Sequence, residues 1–306
     1  MSSVQVHEST RQQNPAGLNA ERRTVTVSAP QGAVPEGQAS GPTEAYKAYL
    51  RRQKRHRYTI RGMQLLILLA LLGLWELAAD LKWVDSMLTS KPSQIAASFK
   101  ELMSQGQLMH HTWVTAQETI IGIVVSMLLG TLVAVAFWWS GFVSKVLDPY
   151  MVVLNALPKV ALGPIFYIWL GDRYSIYGMA IAISLIVTIM MIESGFKEIG
   201  KTKQKLMESF GATRWQMLRM VLLPASIPNI IATLKVNVGL TLVGVIMGEF
   251  LSSKAGLGFL IIYGGQVFQM HMVMTSIVIL ALLSIVLYGL VTLLGRLAMR
   301  RYHFDS

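Results

Sequence analysis

Apolar residues gather along this chain in six long runs, separated by stretches where charged residues and proline collect. A helix rises about 1.5 Å per residue, so roughly 20 residues cross a hydrocarbon core of about 30 Å. Each run is near that length, which predicts membrane spans at about 62–79, 118–139, 150–170, 176–195, 228–248 and 273–295. The expected fold class is an all-α membrane protein with six transmembrane helices.

The stretches around the runs differ from one another. Residues 1–45 are rich in Ser, Gly, Pro, Gln and Glu and hold no apolar run, so they read as a disordered tail. The first apolar run begins near Gly62, too far from the start for a cleaved secretory signal. Between the two lies AYKAYLRRQKRHRYTIR, with Arg51, Arg52, Lys54, Arg55, Arg57 and Arg61. Such a basic arm serves as a topogenic anchor on anionic lipid or as a regulatory arm. The domain division expected is a tail with its basic arm over 1–61, a six-span body over 62–300 and a short tail over 301–306.

Charge and composition narrow the classes. The chain has 306 residues, of which 53% are apolar and only 14% charged, an unusual balance for a soluble domain. The net charge of +11 does not point to nucleic acid, because the basic residues lie between apolar runs and not on one folded soluble face. Without cysteine, disulfides and thiolate metal sites are excluded. His110 and His111 have no third ligand at metal spacing, so no metal is expected.

The basic residues also orient the chain. The N-terminal arm, the 196–219 stretch (Lys197, Lys201, Lys203, Lys205, Arg214, Arg219) and the tail (Arg296, Arg300, Arg301) hold most of them. The other loops carry Lys82, Lys91, Lys100, Arg173 and Lys254, thinly spread. By the positive-inside rule both termini and the 196–224 loop face the cytoplasm.

Residues 195–202 read GFKEIGKT, which fits the phosphate-loop pattern G-x-x-x-x-G-K-[ST]. That loop needs a buried strand before it and a sheet-packed helix after it. Here a membrane run precedes the pattern and the next span starts about 25 residues on, too close for a nucleotide-binding domain.

KLMESFGATRWQMLRMVLLPASIP, residues 205–228, is more informative. It predicts two short amphipathic helices broken at Gly211, with Thr213 capping the second and Gln216 completing a capping box. Trp215, Leu218 and Leu222 are expected on one face, with Pro224 ending the element. A helical knob of this kind either lies on lipid or enters a groove on a partner protein.

This loop resembles the coupling motif of bacterial ABC importer permeases, E-A-A-x3-G-x9-I-x-L-P, with Gly211, Val221, Leu223 and Pro224 at the matching spacing and Lys205-Leu206-Met207 in place of Glu-Ala-Ala. LNALPKVALGPIFYIWLG (154–171) and GEFLSSKAGLGFLIIYGGQVF (248–268) are similar to segments of permeases in the nitrate, sulfonate and taurine branch. The resemblance implies a type I importer permease fold in the bacterial inner membrane, with no catalytic residues and no cofactor of its own. ATP and Mg would be bound by a partner ATPase docked on a coupling loop comprising Glu208, Gly211, Ala212, Thr213, Trp215, Val221, Leu223 and Pro224. An extracytoplasmic substrate-binding protein and a second permease copy, most simply a homodimer, would complete the assembly.

Three further features bear on packing and pathway. Gly244 and Gly248 form a small-xxx-small pair that suits close helix packing. Glu249, Gly256 and Gly258 form, by family likeness, part of an outer gate, or else a re-entrant turn satisfied by protein. Lys159 and Lys235 lie deep in the third and fifth spans; they either snorkel or pair with Glu193, or they line a weakly positive pathway for an anion. A gradient-driven transporter or channel is the rival function. It calls for embedded carboxylates or an internal repeat, whereas Glu76, Glu118 and Glu193 lie near the expected span ends and no repeat is visible.

Overall fold

The structure is a computed structural model that describes residues 44–83, 85, 89–199 and 201–301. The expected tail over residues 1–43 and the last five residues lie outside it. Among the described residues there are helices and turns and no strand. Five helices are long and apolar enough to cross a membrane.

Residues Met1–Met63 separate as one unit, whose described part is the basic N-terminal half of helix α1, Glu44–Asp80. The arm expected as a flank of the first span is therefore itself helical, and its residues 51–63 are exposed. The second unit, Gln64–Ser306, is the membrane body. In it the end of α1 is tied to helix α2, Pro92–Ser104. Glu76 accepts from the Ser93 amide at 3.0 Å and its hydroxyl at 2.7 Å, supplying the cap that Lys91 at the N-cap position cannot. Lys91 in turn bonds Asp80 at 2.8 Å, and this hydrogen bond and charge raise its pKa above the ordinary lysine value.

Helix α3, Gln107–Trp139, begins eleven residues before the span expected at 118, after Gly106 in the left-handed conformation. Glu118 consequently sits well inside a helix and not at its end. The expected third span, 150–170, is not one helix. It is built from α4, Gly141–Ala156, a 3-10 turn at Lys159–Leu162, and the start of α5, Gly163–Glu198. The break falls where Leu157 is forced into extended backbone before Pro158. A second break lies within α5 at Gly171, whose φ of 73° and ψ of 179° are open to glycine alone.

At Gly171 the chain doubles back. Gly178 faces Phe166 and Leu170, Gly163 faces Met179, Met151 packs with Ile189, and Ser144 bonds Glu193. These pairs step in opposite directions along the two arms, so residues 141–170 and 172–198 run antiparallel. The third and fourth expected spans are thus two antiparallel arms, the third of them broken.

Helix α5 then leads into the short α6, Lys201–Ser209, and α7, Arg214–Met217, a π-helical turn at Leu218–Leu222 and one more turn at Leu223–Ala225. Helices α8, Ile227–Ser252, α9, Leu257–Gln266, and α10, Met270–Arg301, complete the chain. The core is the α3–α5–α8 layer. Its helices approach closely because glycine faces them: a Cβ at Gly244 would lie 2.6 Å from Ala180 Cα, and one at Gly248 would lie 2.6 Å from Ile176 Cα. The small-xxx-small pair is a packing device between α8 and α5. Many apolar side chains on α1, α3 and α10 point outward, as they do in a protein whose solvent is lipid.

Candidate functional site

The two ends of α8 carry the two candidate features. At its start lies the segment 201–225. Helix α6 ends in a Schellman motif: the Gly211 amide bonds Glu208 O at 2.9 Å and the Ala212 amide bonds Met207 O at 3.0 Å. Gly211 takes φ of 75° there. Thr213 and Gln216 form the expected capping box, with the Thr213 amide on Gln216 Oε1 at 2.8 Å.

The rest of the segment departs from expectation in two respects. Pro224 does not end the element. Having no N–H, it cannot bond the carbonyl four residues back, and the chain absorbs this by widening into the π turn at 218–222 and continuing. Nor does Trp215 share the face of Leu218 and Leu222. Those two are buried against Ala134, Ile192 and Phe196, with Leu223 beside them, while Trp215 is 60% exposed. Phe210, at 77%, and Met220, at 68%, are exposed as well. The segment therefore has one face welded to the ends of α3 and α5 and another that presents large apolar side chains. Arg214 strengthens the weld by donating to Trp139 O at 2.8 Å, one of the free carbonyls at the end of α3.

The phosphate-loop pattern has no such loop around it. Residues 195–198 are the last turns of α5; Gly195 packs against Asn229, Phe196 is buried, and Lys197 pairs with Glu193 at 2.9 Å. Beside them is a cavity of about 500 Å³ lined by residues that include Trp138, Lys145, Asp148, Glu193 and Gln204.

At the other end of α8 the turn 253–256 leads into α9. Glu249 is 1% exposed and fully engaged, accepting from Thr115 Oγ1 at 2.6 Å and from the Gly258 amide at 2.5 Å. Gly256, with φ of 111°, and Gly258 both lie against its carboxylate, and a Cβ at Gly258 would come within 2.7 Å of Oε2. Glu118 reaches Glu249 from α3, and its other oxygen is buried without a hydrogen-bond partner. The polar groups of the turn and of the start of α9 are thus satisfied by protein.

Sequence reasoning missed two members of this cluster. His111, weighed as a metal ligand, uses Nδ1 to accept from the Gly256 amide at 2.9 Å and stacks on Phe259. Thr115 carried no signal of its own; only its spacing of four from His111 and three from Glu118 on one face of α3 could have drawn notice.

The two deep lysines are not partners of Glu193, which is taken by Lys197 and Ser144. Lys159 sits on the 3-10 turn of the broken span and donates to Asn155 O at 2.9 Å. Lys235 lines a groove with Ile231, Tyr288 and Met299. Lys159 is on α4–α5 and Lys235 on α8, and no bond joins either to the Glu249 cluster.

With this geometry in place, comparison with known proteins is direct. Residues 122–303 match the family described as the binding-protein-dependent transport system inner membrane component. The formylaminopyrimidine transport permease protein ThiX of Halalkalibacterium halodurans is 29% identical over 63% of this chain and 77% of its own length. The taurine transport system permease protein TauC of Escherichia coli is 25% identical over 72% of this chain and 82% of its own. Among solved structures, an inward-facing MetNI methionine ABC transporter aligns with a TM-score of 0.55 at 18% identity, covering 64% of this chain and 97% of that one, which is a likeness of fold.

Proposed function

Because this chain belongs to the family of binding-protein-dependent transport system inner membrane components, we propose that it carries a small anion or zwitterion through the membrane, powered by a separate ATPase docked on residues 205–224. The chain itself is an ABC importer permease and a multi-pass membrane protein. The gradient-driven alternative is not favoured. What supports the docking role is the two-faced segment: Leu218 and Leu222 are sunk into the helix ends while Phe210, Trp215 and Met220 stand exposed. Large apolar groups held rigidly outward suit a groove on a partner protein.

The remaining assignments follow from that role. The ATPase brings ATP and Mg; this chain brings none of the hydrolytic groups. An extracytoplasmic binding protein delivers the solute on the opposite side, and two copies of the chain enclose the pathway, since each has one coupling segment. Both termini lie in the cytoplasm with the segment, on the strength of the basic residues around it. The substrate class rests on the likeness to permeases such as TauC and on Lys159 and Lys235, two cations within apolar spans.

Co-purification tests the docking. Wild-type chain expressed with the ATPase from its own transport system should bring it down in detergent. Gly211→Val, which forces a β-branched residue to φ of 75°, should lose it while still inserting, and Gly211→Asn, which tolerates that conformation, should keep it. Nothing lies within 4 Å of a Cβ at Gly211, so the Val effect comes from the backbone alone. A Gly211→Val chain that binds the ATPase and transports as wild type does would sink the role.

A further inference from the structure

Helix α9 begins in an unusual way. The first amides of a helix lack intrahelical partners, and a side chain close in sequence normally covers one of them. At the start of α9 the N-cap position is Gly256, which has no side chain to offer. The partners come from two other helices instead. The Gly256 amide donates to His111 Nδ1 at 2.9 Å and the Leu257 amide to Thr115 Oγ1 at 2.8 Å, both on α3. The Gly258 amide donates to Glu249 Oε2 at 2.5 Å, and the Phe259 amide is also directed at Glu249, at the end of α8. Thr115 joins the two sources, because its hydroxyl donates to Glu249 Oε1 at 2.6 Å while accepting from Leu257. A carboxylate at the positive end of a helix adds attraction to the bonds themselves.

A helix held at its start by remote side chains follows the elements that carry them. Helix α8 reaches from the coupling segment, just before Ile227, to Glu249, a distance of roughly 33 Å at 1.5 Å per residue. Along the way Gly244 and Gly248 hold it against the backbone of α5, and a Cβ at Gly122 of α3 would lie 2.7 Å from the Thr241 side chain. Such close packing moves as a unit and does not bend locally.

We propose that His111, Thr115 and Glu249 are positioning residues for transport: they latch α9 to the α3–α8 pair, so that a displacement applied at residues 205–224 is delivered to α9 at the far end. The inference rests on the permease reading above and adds to it the three residues through which the far end responds. Thr115 is the joint, since its hydroxyl hydrogen-bonds both Glu249 and the α9 backbone from α3. Valine has its shape but can neither donate nor accept, and it leaves the Leu257 amide buried and unpaired.

Hydrogen–deuterium exchange on the permease–ATPase complex tests this without a known substrate. Exchange over residues 206–220 and 257–266 is compared between nucleotide-free complex and complex trapped with Mg, ATP and vanadate. In the wild type both segments should respond to trapping. In Thr115→Val the response at 206–220 should persist while that at 257–266 is lost. Thr115→Ser, which keeps the hydroxyl, should restore it. His111→Ala, at the half-buried rim of the cluster, gives a milder form of the same loss and serves if Thr115→Val does not assemble. A merely structural role for Thr115 predicts faster exchange at α9 in both states with the response to trapping intact. That result, or a wild-type α9 that never responds, overturns the latch alone. A wild-type chain that binds no ATPase strikes at the permease reading and takes the latch with it.

Discussion

Single residues in α8 show how position decides what a glycine is for. Gly239 and Gly244 lie five apart on the same helix, and only Gly244 has a second glycine four residues on. A Cβ at Gly244 would press on Ala180 Cα at 2.6 Å and Met179 O at 2.9 Å, both backbone atoms that cannot turn aside. At Gly239 nothing lies within 4 Å. Gly244→Ala should therefore lower stability by about 1–3 kcal/mol through forced separation of α8 from α5. Gly239→Ala should be neutral or stabilising by up to about 1 kcal/mol, since alanine favours the helix. Thermal unfolding of the two purified variants in one detergent checks the contrast, and equal midpoints would show that the α5–α8 contact is not held as described. The Gly244–Gly248 spacing was legible in sequence. What it faced was not, because Ala180 and Ile176 are more than sixty residues away.

Whole elements depart from sequence expectation mainly where proline and glycine interrupt an apolar run. Hydrophobicity alone made 150–170 a span, and it does lie within one crossing. The helical part of that crossing begins at Gly141, though, breaks at Leu157-Pro158 and resumes at Gly163. Lys159 occupies the break, its ammonium on Asn155 O at 2.9 Å, the backbone carbonyl one helical turn back. Irregular backbone inside a membrane persists where protein or a water-lined cavity satisfies it. If that break faces the solute, Lys159→Gln should slow anion uptake and Lys159→Glu should slow it further by reversing the local field, with ATPase assembly unchanged. Uptake into cells or vesicles at matched expression reads this out, and equal rates in wild type, Gln and Glu forms would remove the lysine from the pathway. The coupling segment is the opposite case. Its Gly211 turn and Thr213–Gln216 box were written in the sequence because both are local hydrogen-bonding devices.

For the molecule as a whole, the expectation with the widest reach is orientation. The segment before α8 and the cluster near its end lie at opposite ends of a 26-residue helix, long enough for the two to face opposite sides of a membrane. On the excess of Lys and Arg around 196–219 we propose that this end faces the cytoplasm. A reporter active only outside the cytoplasm should work when fused after Lys91 or Lys254 and stay silent after Lys203 or at the C-terminus. Activity after Lys203 would leave no cytoplasmic ATPase able to reach Trp215.

The sequence by itself determined the class of the protein, the approximate place of its apolar runs, the basic stretches and the Gly211 turn with its Thr213–Gln216 box. These depend on run length, charge bias and contacts within a few residues, all of which are visible along a single strand of letters. Only the tertiary structure decided that α5 doubles back at Gly171, that Trp215 points away from Leu218, and that Glu193 belongs to Lys197 and not to the deep lysines. It alone decided that His111 and Thr115 complete the start of a helix more than 140 positions later. The physical reason is that a buried polar group takes whichever partner the packed helices bring within about 3 Å, and separation along the chain places no limit on which one that is.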